Sequence, residues 1–462
     1  MFKNIENIHF VGIGGIGMSG IAEVLAGMGY KITGSDIKDS PIIEHLREIG
    51  ITVYIGHRWE NVVNADVVVY SSAVKMDNVE LVYAIKEKIP VIQRAEMLAE
   101  LMRMKFSIGV AGTHGKTTTT SLIASIFKKA KLDPTLIIGG QVKIFSDSNA
   151  TLGKGDYLIA EADESDKSFL KLFPSIAVIT NIDEDHLDNY QDINDIKEHF
   201  VKFANSVPFY GCVVICLDDL NNNEIIPKIE KKIITYGFLR KADVKAINVK
   251  MGVMNSSYTL VFKNMPIGDI QLNIPGKHNV LNSLAAVSVA IEMGIPYKTI
   301  FEGIKDFTGV KRRFEIIYKN EKNDIYVVDD YAHHPNEIFT VISSAKNMGD
   351  YKIVTIFQPH LFSRTIKLLN QFADILSKSD ITVITDIYPA RELPVKGVSG
   401  KNLYDEIKKI KNEDVYYVED KKDLKDFLKR FIEEKTIFLF IGAGDINTYS
   451  KSFVEEIKNE NI

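Results

Sequence analysis

The chain has 462 residues, 45% hydrophobic and 25% charged, with a formal net charge of −5. That length exceeds a single core and predicts roughly two to four domains of ordinary globular composition. The small negative charge argues against nucleic acid or an anionic membrane as partner, so anionic ligands would be held by local backbone amides and a few placed cations.

The opening MFKNIENIHF lacks the charged and apolar regions of a secretory signal. No apolar run reaches the roughly 18 residues of a membrane span. The segment HFVGIGGIGMSGIAEVLAGMGYKITGSD, His9 to Asp36, predicts a strand, a glycine turn, a helix and a second strand ending in an acid. Gly12, Gly14 and Gly17 fit G-x-G-x-x-G, and Asp36 lies 19 positions after Gly17, the pattern of a dinucleotide-binding βαβ unit. Taken alone, this loop favours a nicotinamide enzyme. ITVYIG and DVVVYSS continue the alternation, so residues 1–104 read as a Rossmann-like domain.

The βα pattern restarts at RMKFSIGV with no Gly/Ser/Pro linker, and a second α/β domain is expected over residues 105–310. Its strands are FSIGVAG, YLIAEAD, IAVITNI and CVVICLD; KADVKAINVKMGVM and SSYTLVFKN alternate in polarity and suggest an antiparallel addition. HNVLNSLAAVSVAIEMG predicts a closing helix that stops at Gly294. Cys212 and Cys216 share one side of a strand about 13 Å apart, too far to bridge, and read as core side chains of a reduced cytosolic protein. Residues 311–462 add a third α/β domain with strands IYVVDDY, YKIVTIFQ, ITVITDIY, VYYVED and TIFLFIGAG, separated by charged helices such as KNLYDEIKKIKN. The fold class is α/β in three domains.

A second phosphate loop settles the chemistry. In FSIGVAGTHGKTTTTSLIASIFKK an apolar strand runs into Gly112-Thr113-His114-Gly115-Lys116-Thr117, and a helix follows. Glycines let backbone N–H groups converge on phosphate oxygens at the positive end of a helix. Lys116 would reach the β- and γ-phosphates and the Thr117 hydroxyl would ligate Mg²⁺. The strict Walker pattern needs Gly at 110, where this chain has Val110, so the loop is a variant. Glu161, Asp163 and Glu164 follow one apolar strand, and Asp183, Asp185, His186 and Asp188 follow another. Such groups at strand ends would surround the phosphate loop as Mg²⁺ ligands.

GTHGKTTTTS, EADESD, TNIDEDHLD, GKHNVLNSLAA, GVKRRFE, DDYAHHPNE, FQPHLFSR and GAGD, in that order, resemble the motifs of the Mur ligases of peptidoglycan synthesis. VGIGGIGMSG looks like the loop of members that join L-alanine to UDP-N-acetylmuramate, and the resemblance spans nearly the whole chain. It implies an N-terminal Rossmann-like UDP-binding domain, a central P-loop ATPase domain and a C-terminal Rossmann-like domain. ATP would phosphorylate the muramoyl carboxylate, and the alanine amine would displace phosphate from the acyl phosphate.

The same resemblance assigns the UDP-sugar to Gly14, Gly15, Ile16, Gly17, Met18 and Ser19, with Asp36 toward the ribose or uracil and Ser71 and Ser72 as hydroxyl donors. ATP would contact Gly112, Thr113, His114, Gly115, Lys116, Thr117 and Thr118, with His278, Asn279 and Asn282 near the adenine and ribose. Thr117 and Glu161 would hold one Mg²⁺ and His186 a second, and Mn²⁺ is an expected substitute. One of the adjacent Arg312 and Arg313, with Arg313 preferred, would reach the ATP phosphates. Asp330, beside Asp329, and His333 would line the ATP and amino-acid cleft, and one of His333 and His334 would be structural. His360 and Arg364 would meet the alanine carboxylate or the sugar; Leu361 stands where some members carry Arg. The expected catalytic set is Lys116, Glu161, His186, Arg313 and His333. The expected protein is cytoplasmic, a monomer or weak homodimer, and closes over its substrates during catalysis. Rival readings are a recycling ligase that attaches a tripeptide to the same UDP-sugar, a folate-type polyglutamate ligase, a nicotinamide oxidoreductase, and a non-catalytic nucleotide-binding regulator.

Overall fold

The computed structural model describes residues 2, 4–138, 150–184, 189–252, 254–390 and 392–459. Apolar runs such as CVVIC and TIFLFI are buried along their whole length, as strands covered on both faces of a sheet must be. They assemble into three sheets of five, ten and six strands.

The first sheet holds β1 (Asn7–Val11), β2 (Lys31–Asp36), β3 (Thr52–Ile55), β4 (Val67–Tyr70) and β5 (Val91–Gln93). Its order is β3-β2-β1-β4-β5, parallel throughout. The second comprises β6 (Phe106–Ala111), β7 (Thr135–Ile137), β8 (Ala150–Thr151), β9 (Tyr157–Glu161), β10 (Ile176–Ile179), β11 (Cys212–Cys216) and β12 (Ile233–Gly237). It continues through β13 (Val244–Met251), β14 (Ser256–Phe262) and β15 (Met265–Leu272), in the order β15-β14-β13-β12-β11-β10-β6-β9-β7-β8. The third contains β16 (Glu315–Asn320), β17 (Ile325–Asp330), β18 (Lys352–Phe357), β19 (Ile381–Thr385), β20 (Val415–Val418) and β21 (Thr436–Ile441), ordered β16-β17-β21-β18-β19-β20.

Two departures from the sequence reading concern sheet edges. β13 starts parallel to β12, through Tyr236↔Val244 and Gly237↔Lys245, and the antiparallel addition expected from β13 and β14 is extended by β15, antiparallel to β14. β16 lies antiparallel on β17, so the third sheet is mixed. Of the overlooked strands, β5, β7 and β8 are only two or three residues long and β12 and β15 contain Gly or Pro, which weakens a strand signal; β16, EIIYKN, is neither short nor interrupted.

The chain forms two compact units: Met1–Lys250 with Ser256–Thr308, and Gly309–Ile462 with Met251–Asn255. In the first, one hydrophobic cluster runs from Phe10, Ile21 and Leu25 of the first sheet and its helix to Ile179, Phe200 and Val213 of the second. Gly27, on the helix Ile16–Gly27, faces Leu152 so closely that a Cβ would lie 2.9 Å from its Cδ2. The second unit packs helices on both faces of its sheet, with separate clusters around Phe357 and Phe438. Cys212 and Cys216 are buried and unbridged. No described helix is long and apolar enough to cross a membrane.

Candidate active site

In each sheet the strand order reverses at a strand whose carboxyl end opens a crevice, the place where open α/β sheets bind ligands. The first crevice lies between β1 and β4. Gly12 turns the chain there at φ +81°, and a Cβ on it would sit 3.2 Å from Ser71 Cβ at the end of β4. The N–H groups of Gly12 and Ile13 both donate to Ser35 O, at 2.8 and 3.1 Å. Asp36 does not present a free carboxylate to a ribose: Oδ2 accepts Gly14 N–H at 2.9 Å and Oδ1 accepts Ile37 N–H at 2.7 Å. It therefore pins the loop. Met18 and Ser19 are both 1% exposed, and the Ser19 hydroxyl donates to Ile16 O. What they offer a ligand is backbone. Ser72 is exposed and Ser71 half-buried at the crevice rim.

Gly17 has a reason the motif alone did not supply. A Cβ there would come 2.8 Å from Arg94 Nη1, so the missing side chain makes room for a guanidinium against the first helical turn. Arg94 starts the helix Arg94–Arg103, and its Nη2 lies 3.9 Å from Asp163 Oδ2. It was not foreseen, because it reaches the loop from 77 positions downstream of Gly17. Beneath this crevice Glu80 is fully buried and accepts hydrogen bonds from Ser35 Oγ and Asn61 Nδ2 and, at 3.1 Å, from His57 Nδ1. Burial alone would raise its pKa. The His9 ring 3.9 Å away and the bonds from Ser35 and Asn61 outweigh burial and bring the carboxyl down to about 2.

The second crevice is at β6, between β10 and β9. Val110 is still strand, in register with Glu161 and Val178, which explains why no glycine is needed there. Gly112 has φ +136°, and a Cβ on it would overlap Thr180 Oγ1 at 2.0 Å. Gly115 is left-handed at φ +84°, with Asn282 Oδ1 2.6 Å from its would-be Cβ. The loop is pinned from the end of β10. His114 N donates to Asn181 Oδ1, and His114 O accepts from Asn181 Nδ2 and Thr180 Oγ1. Thr113 Oγ1 accepts Asp183 N–H at 2.9 Å. Thr113, Thr117 and Thr118 are buried at 8–9% exposure. Asn279 and Asn282, expected beside adenine and ribose, are also buried: Asn279 Nδ2 donates to Pro275 O, and Asn282 backs the loop and accepts from Thr119 Oγ1. His278 is exposed.

Lys116 opens the helix Lys116–Lys129, but its ammonium turns inward. It donates to Gly112 O at 2.6 Å and to Glu164 Oε1 and Oε2 at 2.8 and 3.0 Å, with Thr113 O at 3.3 Å. Burial opposes charge on both partners and raises the Glu164 pKa against the pull of Lys116; at Lys116 the Glu164 and Asp163 carboxylates outweigh burial and raise the pKa. Glu161 ends β9, at the edge of the same crevice. His186, with Asp185 and Asp188, lies outside the described residues. Among the described residues no three His, Cys, Asp or Glu side chains gather into a metal cluster.

The third crevice flanks β21, between β17 and β18. Asp329 and Asp330 end β17 and are buried, which pushes both carboxyl groups up to about 6, against the pull of Arg312 and Arg313 respectively. Asp330 accepts Phe314 N–H at 2.6 Å and Ala332 N–H at 2.7 Å, so its oxygens organise two loops. Arg312 is tied down by Gly442 O at 2.6 Å and Asp329 at 3.6 Å. Arg313 is more exposed, 5.7 Å from the Tyr331 ring centroid and 3.7 Å from Glu337. His334 is buried at the N-cap of the helix Pro335–Lys346, where Glu337 completes a capping box. His333 is the more accessible histidine. Its Nδ1 faces Tyr331 O at 3.0 Å, an acceptor, so Nδ1 carries the proton and Nε2 the lone pair. Burial lowers its pKa and favours that neutral form.

His360 follows β18, its ring 5.9 Å from His333 and stacked at 5.9 Å on Tyr388. Leu361 takes φ +70°, unusual for a branched side chain, between Leu361 N–H···O Tyr388 and the helix Phe362–Lys367. On that helix Arg364 Nη1 is buried with no hydrogen-bond partner among the described residues. A buried orphan guanidinium nitrogen fits an anionic group of a ligand. Tyr388 and Tyr331 line this crevice without having been singled out in the sequence: Tyr388 lies in none of the quoted motifs, and Tyr331 stands within DDYAHHPNE among acids and histidines whose chemistry is more conspicuous.

Three family signatures match in succession: Mur ligase family, catalytic domain, over residues 7–106; Mur ligase middle domain over 110–290; and Mur ligase, glutamate ligase domain, over 312–444. The chain is 50% identical over 460 residues to a UDP-N-acetylmuramate–L-alanine ligase of Geotalea uraniireducens, covering 100% of both chains. It is 47% identical to one from a Sulfurihydrogenibium species, again over 100% of both. The crystal structure of a UDP-N-acetylmuramate–alanine ligase from Thermotoga maritima superposes with a TM-score of 0.84 at 31% identity, covering 99% of this chain and 100% of that one. A murein peptide ligase from Psychrobacter arcticus shares the fold, with a TM-score of 0.72 at 24% identity over 98% of this chain and 99% of that one.

Proposed function

The chain belongs to the Mur ligase family, and from that premise we propose that it joins L-alanine to the carboxylate of UDP-N-acetylmuramate, forming ADP and phosphate. The observation that carries this reading is the likeness at about half identity along the entire chain, phosphate loops included, to ligases named for that reaction. The opening glycine loop then holds the diphosphate of a UDP-sugar, since amides at a helix N-terminus bind a diphosphate whatever is attached to it.

A carboxylate is a poor electrophile because its leaving group would be oxide. In the first step a muramoyl carboxylate oxygen attacks the γ-phosphorus, the bond to the β-bridging oxygen breaks, and ADP departs. Alignment and charge neutralisation carry such a transfer. Lys116 and Arg313 supply fixed positive charge for it. Thr117 and Glu161 would hold Mg²⁺: both are oxygen donors, and this ion commonly takes one or two protein ligands with phosphates and water completing its shell. That fits the lack of a three-residue cluster among the described residues. His186 is the proposed ligand of a second ion. Bound with the nucleotide, the metal supplies charge neutralisation at the γ-phosphate.

In the second step the alanine amine attacks the acyl phosphate, and phosphate leaves from a tetrahedral intermediate. Arg364 Nη1, buried and unpaired, would take the alanine carboxylate. His333 Nε2, the free lone pair of the neutral ring, would take the proton the ammonium loses. Lys116 belongs to the first compact unit and His333 to the second. A ligation that consumes ATP is consistent with a cytoplasmic reaction. The test is ADP release by purified protein with UDP-N-acetylmuramate and, in turn, L-alanine, glycine, L-serine and an L-alanine-containing tripeptide. L-Alanine should support the fastest turnover; turnover with the tripeptide alone would overturn the reading.

A further inference from the structure

The ATP loop carries an internal anion that its motif does not require. The three N–H bonds of the Lys116 ammonium are shared among four acceptors, Gly112 O, Thr113 O and both oxygens of Glu164. Its side chain is 17% exposed and that of Glu164 only 4%. Among the described residues Lys116 is the one side chain that bonds the Glu164 carboxylate. The backbone of Glu164 is held independently, since its carbonyl accepts from Lys167 N and from the Tyr190 hydroxyl. The segment after β9 that carries this carboxylate is thus anchored through its own backbone.

A lysine so paired cannot bring its full charge to a phosphate. We propose that Glu164 is the resident counter-anion of Lys116: it holds the ammonium in the nucleotide-free enzyme and gives it up to the incoming polyphosphate. The inference rests on the assignment of this loop to ATP and adds a positioning residue to it. The exchange is electrostatically sensible. Without Glu164 an ammonium would be buried beside carbonyl oxygens alone, at a high desolvation cost. With it, nucleotide binding swaps one anion for another around a lysine that never loses a partner. Because a carboxylate and a phosphate compete for the same donors, the charge of Glu164 opposes nucleotide affinity. A glutamate that merely braced the loop would have the opposite effect, for its removal would loosen the amides that bind phosphate.

The experiment is calorimetric titration of full-length wild type and Glu164→Gln with Mg·ADP and with a non-hydrolysable Mg·ATP analogue, at one ionic strength. Glutamine keeps the shape and one acceptor and removes the charge. The dissociation constant should fall by about three- to tenfold, as expected when a competing ion pair is removed. Equal or weaker binding by a folded variant overturns the proposal. Should Glu164→Gln not fold, crystals of the wild type with Mg·ADP decide the matter: Lys116 Nζ should lie on a phosphate oxygen and have left at least one Glu164 oxygen. Persistence of the bidentate pair beside bound nucleotide overturns it. Absence of any nucleotide binding by the wild type would instead remove the ATP assignment, and this inference with it.

Discussion

Gly112 and Glu80 illustrate what single residues disclose before and after the fold is known. The GTHGKT string marks Gly112 as part of a phosphate loop, but the constraint on it comes from β10: at φ +136° a Cβ would meet Thr180 Oγ1 at 2.0 Å. Gly112→Ala is therefore expected to cost at least about 2 kcal/mol, from backbone strain plus displaced packing. Urea denaturation would measure this, and unchanged stability would refute it. Lys116, Thr117 and the glycines were legible because their chemistry is local in sequence. Glu80 was not, because nothing in DNVELVY signals that its carboxylate is buried among Ser35, His57 and Asn61. With a folded pKa of about 2 against an ordinary 4.5, it contributes stability that is fully present above about pH 4.5 and is lost as pH falls toward 2, of order 3 kcal/mol. Glu80→Gln should flatten the acid limb of the first unit's stability curve; an unaltered limb would exclude this role.

At the scale of elements, all three crevices could be anticipated from apolar runs ending in Gly, Asp or Glu, since parallel strands buried on both faces read as continuous hydrophobic stretches. The partners that pin each loop could not, because register rather than proximity in sequence brings them there. Asn181 is an example. It follows β10, which lies beside β6 through Ile179↔Ala111, and its amide clamps both the N–H and the carbonyl of His114. Asn181→Ala should leave the fold intact and unclamp the loop, raising the dissociation constant for Mg·ADP about tenfold through the loss of two partly buried hydrogen bonds. UDP-sugar affinity, which the proposed function assigns to the first sheet, should change less than twofold on that scale. Equal losses at both ligands would show that Asn181 supports more than its own crevice. Arg94 was hidden for a similar reason, arriving at Gly17 from β5 and the helix after it.

For the molecule as a whole, the buried acid pair of the second compact unit gives its stability a pH dependence that one substitution can isolate. In the second unit Asp329 and Asp330 have folded pKa values of about 6, against the ordinary 3.8, because they are buried. Above pH 6 both are ionised, folded or unfolded, and the cost of the buried charge is fully present. As pH falls through 6 the folded form takes up protons that the unfolded form does not, and that cost is relieved. The shift corresponds to about 3 kcal/mol for either group on its own, less when both are counted because they interact. His333 works in the opposite sense, since burial lowers its pKa and unfolding favours its protonation below about pH 6.5. The decisive quantity is therefore a difference. Between about pH 7 and 5 the second unit of the wild type should gain stability relative to that of Asp329→Asn, which lacks the titrating group but keeps His333. Over the same window Glu80 gives the first unit no such gain, because it stays ionised in both states. Scanning calorimetry that resolves the two units, with Mg·ADP added to shift the one bearing Lys116, would assign the transitions. Parallel pH profiles for wild type and Asp329→Asn would mean that Asp329 does not hold its proton in the folded protein.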